Sequence, residues 1–120
     1  MINILIADDD PRFRRFIKEL LSDEPDIEII GEAADGEEAI HKAEELEPDL
    51  ILMDVRMPNV NGLKATRQLK EKMPELKIIM LTLYDFEEYG EAAKAAGAVD
   101  YILKKSINEE IIPAISKAFE

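Results

Sequence analysis

Cysteine is absent from this 120-residue chain, and histidine occurs once, at position 41. The first absence excludes disulfides, thiolate nucleophiles and cysteine-ligated zinc, and it is compatible with a reducing, cytoplasmic setting. The second excludes multi-histidine metal sites; His41 lies in HKAEELE, which reads as exposed helix. Positive charge is also scarce: 15 Lys and Arg against 27 Asp and Glu leave a net charge of −12. A surface so acidic repels phosphate backbones and anionic headgroups, which speaks against direct binding of nucleic acid or membrane. No apolar run approaches the ~20 residues of a spanning helix. The start, MINILIADDD, has neither a basic n-region nor a small-residue cleavage site.

What the chain does contain is enough apolar side chain for one packed core, since 47% of its residues are hydrophobic. Five short apolar runs recur, at Ile4–Ala7, Ile27–Ile30, Leu50–Met53, Lys77–Leu81 and Val99–Leu103. They are nearly continuous rather than alternating, as expected of parallel strands covered on both faces. Helical stripes separate them: Phe13, Phe16, Ile17, Leu20 and Leu21; Ala39, Ile40, Ala43 and Leu46; Leu63, Thr66, Leu69 and Met73; Ala92, Ala93 and Ala96; and Ile111, Ile112, Ile115 and Phe119. Asp10-Pro11 and Asp35-Gly36 read as helix starts. Pro25, Pro48 and Pro74 follow helices, and Gly97 suits a helix end. The expectation is a single α/β domain over 1–120, a (βα)5 doubly wound, five-stranded parallel sheet with right-handed crossovers.

Open α/β sheets bind ligands beyond the carboxyl ends of their strands. Here those ends carry Asp8, Asp9 and Asp10 after the first strand, Asp54 after the third, Thr82 after the fourth, and Lys104 and Lys105 after the fifth. Each has an ordinary reading: Asp10 as a helix cap, Asp54 as a turn starter, Thr82 as a β-branched strand residue, Lys104 as a solvated strand end. Together they suit one chemistry. Two carboxylates ~4 Å apart repel by about 4 kcal/mol at an effective dielectric near 20, so gathered acids call for positive charge. Lys104 supplies some of it, and Mg²⁺, an ion held by one or two carboxylates, supplies the rest. Such a set favours phosphoryl transfer, with Asp54 as nucleophile because the adjacent Asp8 and Asp9 are better placed to hold the cation.

The segments ILIADDD (4–10), LILMDVRMPNVNG (50–62), IIMLT (78–82) and DYILKK (100–105) resemble the receiver domains of two-component response regulators along the whole chain. The resemblance implies the strand order 2-1-3-4-5 and a phosphoacceptor at Asp54 that takes its group from a phosphohistidine on a sensor kinase. It implies Mg²⁺ (or Mn²⁺) held by Asp8, Asp9, Asp54 and the backbone carbonyl of Arg56. Lys104 pairs with the phosphoryl group, Lys105 is a surface neighbour, and Gly62 permits a tight turn into the third helix. Thr82 and Tyr101 form the switch pair, and Arg56 and Tyr84 flank the pocket and tune the lifetime of the label. Such a domain is a phosphoacceptor rather than an enzyme.

The stretch LTLYDFEEYGEAAKAAGAVDYILKKS further resembles receivers joined to helix-turn-helix DNA-binding domains of the nitrate-response and quorum-sensing type. That implies an output domain outside this chain, control of transcription, and a homodimer on phosphorylation. The first helix, with Arg12, Arg14 and Arg15 exposed, is the candidate kinase-docking face. Three other readings remain open. A haloacid dehalogenase-type phosphohydrolase would use Asp8 as nucleophile, but Arg12 stands where its motif has Thr or Val. A flavodoxin-like carrier would need donors where three carboxylates stand. A degenerate receiver would lack the intact acid, hydroxyl and amine set.

Overall fold

The computed structural model describes residues 1–83 and 87–120. Strand and helix alternate five times: β1 (Ile2–Ala7), α1 (Pro11–Leu21), β2 (Ile27–Ala33), α2 (Gly36–Leu46), β3 (Leu50–Asp54), α3 (Gly62–Lys72), β4 (Lys77–Thr82), α4 (Glu87–Ala96), β5 (Asp100–Leu103) and α5 (Ile107–Ala118). A 3-10 turn, Lys104–Ser106, leads into α5. The described strands pair in parallel in the order β2-β1-β3-β4-β5.

Side chains along a strand alternate between sheet faces, and two cores result. Leu5, Ala7, Ile51, Met53, Ile78 and Met80 meet Ala39, Ala43, Ala65, Leu69 and Ala93 of α2, α3 and α4. Ile4, Ile6, Leu50, Leu52, Ile79 and Leu81 meet Ile17, Leu21, Ile107, Ile111 and Ile115 of α1 and α5. The three inner strands are therefore apolar on both faces, which is why their sequences run on without alternation.

Helix starts obey local chemistry. The Asp10 carboxylate accepts from the Arg12 N–H at 2.9 Å and Pro11 opens α1; the Asp35 carboxylate accepts from the Glu38 N–H at 2.8 Å. Asn61 caps α3 through Lys64 N–H at 2.9 Å, a start the apolar spacing did not mark. Gly97, at φ 105°, ends α4 as expected.

Four expectations need correction. β2 runs on to Ala33, because Gly31, Glu32 and Ala33 pair with Leu5, Ile6 and Ala7 beyond a register shift that hydropathy does not reveal. β5 begins at Asp100; Val99 donates one backbone hydrogen bond to Ile78 but lies 44% exposed outside the ladder. Phe16 and Phe119 are exposed although they continue apolar stripes; Phe119 lies beyond the last turn of α5, as its C-cap. Arg14 is not a free surface cation, because Glu32 of the edge strand and the end of β1 engage it. His41 is exposed, as expected.

Candidate functional site

Where β1 ends, the chain is pinned from several sides. Asp8 N–H donates to the Ala33 carbonyl at 2.9 Å, and Asp10 N–H donates to Asp8 Oδ1 at 2.8 Å as the backbone turns into α1. The Arg14 guanidinium donates to the Asp8 carbonyl at 2.5 Å and to Glu32 Oε1 at 2.9 Å. Lys18 and then Arg14 hold the Glu32 carboxyl below its usual range. Asp8 is thus fixed at both main chain and side chain, and its side chain is almost fully buried.

β3 delivers Asp54 beside it. Strand alternation sends Asp54 to the same side as Leu50 and Leu52, toward α1 and α5. Gly62 permits the arrangement by close approach: a Cβ there would lie 1.9 Å from the Asp54 carbonyl oxygen. Its role is therefore not a left-handed turn; that conformation belongs to Asn59, at φ 66°. Asn59 also donates to Asp35 Oδ2 at 2.9 Å, tying the loop after β3 to the start of α2.

Lys104 comes from the turn after β5 and spans the two acids. Its Nζ lies 2.7 Å from Asp8 Oδ2 and 3.4 Å from Asp54 Oδ1. Oxygens of Asp8, Asp9 and Asp54 all fall within 4.8 Å of one another. Three carboxylates and one ammonium leave two negative charges, the complement of a divalent cation, and hard oxygen donors suit such an ion. Burial first, then the Asp8 carboxylate, raise the Asp54 pKa to about 6; Lys104 pulls it down and Asp9 adds a smaller push upward.

These residues line one cleft of about 350 Å³, together with Asp10, Arg56, Thr82 and Leu83. Thr82 is buried at the end of β4, while Asp9 and Arg56 are exposed. Tyr101 stands apart, half-buried on the opposite face of the sheet against the α2–α4 core. Lys105 is exposed, as expected of a surface neighbour. Tyr84 lies outside the described residues. Two contributors to the site went unread in the sequence. Charge pattern marks Arg14 as a surface cation, and apolar spacing marks Phe13 as a core residue, which it is, without showing that its ring also lies under the Lys104 ammonium.

A doubly wound sheet of this order, with acids and a lysine meeting at the carboxyl edge of its central strands, defines a flavodoxin-like domain with a charged cleft at its topological switch point. Comparison with known proteins narrows the class. The model of the response regulator receiver domain matches residues 4–116, and the chain belongs to that family. It is 43% identical over 116 residues to the response regulator protein VraR of Staphylococcus aureus, covering 97% of this chain and 56% of that protein. It is 40% identical over 114 residues to the transcriptional regulatory protein DegU of Brevibacillus brevis, covering 95% of this chain and 48% of that protein. Among solved structures, a LuxR-family two-component response regulator from Aurantimonas sp. SI85-9A1 superposes with a TM-score of 0.93 at 30% identity, over 98% of this chain and 84% of the other. The chain spans about half the length of the curated relatives it matches. The resemblance to regulators of the DNA-binding kind is thereby borne out, and the haloacid dehalogenase reading gains no support. No helix among the described residues is long and apolar enough to cross a membrane.

Proposed function

We propose that this domain accepts a phosphoryl group on Asp54 from the phosphohistidine of a sensor kinase and passes the event on as a change of shape. The observation that carries the reading is the convergence of Asp54 with Asp8 and Lys104, the ammonium lying within 3.4 Å of both carboxylates. An Asp54 oxygen forms the bond to phosphorus as the bond from phosphorus to the donor imidazole nitrogen breaks, and the imidazole leaves with the electron pair. Lys104 offsets charge on the phosphoryl oxygens, leaving Asp8 as it does so. Asp8, Asp9, Asp54 and the Arg56 carbonyl would hold Mg²⁺ or Mn²⁺, which supplies further neutralisation of those oxygens when bound.

The buried Thr82 hydroxyl is the group that turns to a phosphoryl oxygen, and Tyr101 follows inward, biasing α4, β5 and α5 between two pre-existing arrangements. On this reading the domain is a cytoplasmic phosphoacceptor rather than an enzyme. It controls transcription through a DNA-binding output domain, with a homodimer forming on phosphorylation; the regulators it resembles, about twice its length, support this. Arg12 and Arg15 of α1, both exposed, remain the candidate kinase-docking face.

Incubation with acetyl phosphate and Mg²⁺ tests the reading. One hydroxylamine-sensitive phosphoryl group is expected on the wild-type chain and none on Asp54→Asn. A label that persists on Asp8 in that variant would restore the hydrolase mechanism, and one that resists hydroxylamine would mean a hydroxyl ester.

A further inference from the structure

The Lys104 ammonium has a third neighbour that neither the charge balance nor the proposed reaction uses. Its Nζ lies 4.2 Å from the centroid of the Phe13 ring. Phe13 stands on the first turn of α1 and packs against the α1/α5 core, so the ring is anchored from behind. We propose that Phe13 is a positioning residue for Lys104, its ring face holding the ammonium over the cleft between Asp8 and Asp54. The inference rests on the reading of Lys104 as the counter-charge of the phosphoryl group, and deepens it.

The physical case is one of direction. A lysine head is a point charge on a flexible four-carbon stem, and its contacts to Asp8 at 2.7 Å and Asp54 at 3.4 Å are unequal. Left with the carboxylates alone, the ammonium is drawn toward Asp8, whose oxygen is the nearer. A ring face attracts the cation through its quadrupole without competing as an ionic partner, so the head can slide from Asp8 toward an arriving phosphoryl oxygen while one contact persists. A third carboxylate in that place would hold the lysine back. Residue 14 adds to the bracket, since Arg14 grips the Asp8 carbonyl from the same turn of helix. Two consecutive residues of α1 thus fix both members of the Lys104–Asp8 pair.

The test replaces Phe13 by mono-, di- and trifluorinated phenylalanine, which drain the ring face while keeping its shape, alongside Phe13→Leu and Phe13→Tyr. NMR of the Lys104 ε-methylene reads the geometry, and acetyl phosphate labelling with Mg²⁺ reads the rate. The ε protons should lie upfield in the wild type and Phe13→Tyr and return to ordinary positions in Phe13→Leu. Labelling should slow stepwise with each fluorine, fall about threefold to tenfold in Phe13→Leu, and stay near wild type in Phe13→Tyr. An unshifted ε-methylene in the wild type, or a rate that is flat across the fluorinated series, overturns the proposal; slowing in Phe13→Leu alone would be packing. A wild-type chain that takes no label defeats the phosphoacceptor reading instead, and the NMR shift still decides whether the ring holds the lysine.

Discussion

Asp54 is ionised at a cost. Its burial and the neighbouring Asp8 carboxylate outweigh Lys104 and lift its pKa from 3.8 to about 6. An acid whose pKa is higher folded than unfolded keeps its proton in the folded chain after the unfolded chain has released it. Stability therefore falls as pH rises from about 4 to about 6 and stays lowered above that window. Without divalent cations, Asp54→Asn should be more stable than wild type at pH 7, by on the order of 2–3 kcal/mol, and should converge with it below about pH 4. Denaturant unfolding at several pH values measures this, and a less stable variant at pH 7 would contradict it. Asp8 is tied at one oxygen to Asp10 N–H and at the other to Lys104, so its carboxylate is held in one place, and on the proposed reading it would fix where the cation sits. Asp8→Ala should abolish Mg²⁺ binding in calorimetric titration; an unchanged isotherm would refute the ligand assignment.

At the scale of elements, the helix starts at Asp10-Pro11 and Asp35-Gly36 were legible because capping involves residues two or three apart. β2 was cut short in the sequence because Gly31, Glu32 and Ala33 owe their strand to pairing with β1, a partner more than twenty residues away. Two glycines make opposite predictions. Gly62→Ala drives a Cβ to 1.9 Å from the Asp54 carbonyl oxygen, so backbone must move; a loss of about 2–4 kcal/mol is expected. At Gly90, inside α4, an added Cβ meets, among the described residues, the Tyr101 ring at 3.9 Å, an ordinary contact. Gly90→Ala should stabilise by about 0.5–1 kcal/mol through helix propensity and reduced chain entropy. Thermal unfolding of the two variants compares them directly, and a destabilised Gly90→Ala would mean that α4 needs the space beside Tyr101.

The molecule as a whole carries a charge of −12 on a body about 31 Å across, with a Cα radius of gyration of 12.6 Å. At ionic strength of about 0.01 M the screening length is about 30 Å, so like charges on opposite sides repel; at about 0.15 M it is about 8 Å and only neighbours do. Compactness is then penalised at low salt and relieved by adding it. Melting temperature should rise between those two conditions in NaCl without divalent cations. A flat or falling melting temperature would mean that local pairs such as Arg14–Glu32 and Lys72–Glu44 govern the electrostatics instead.

The order of elements, the two-faced apolar strands, the caps and the presence of acids, hydroxyl and amine at strand ends were determined by the sequence alone, because each depends on residue type and short-range spacing. Alternation within β3 puts Asp54 on the side of Leu50 and Leu52, but that Tyr101 faces the other way follows only from how β3, β4 and β5 pair. Tertiary structure alone decided that Lys104 reaches Asp8 across 96 positions of chain, that Gly62 serves by closeness to Asp54, and that Arg14 and Phe13 belong to the site. Those facts are distances between segments remote in the chain, and a distance of that kind is set by how whole elements pack, which no local pattern of residues encodes.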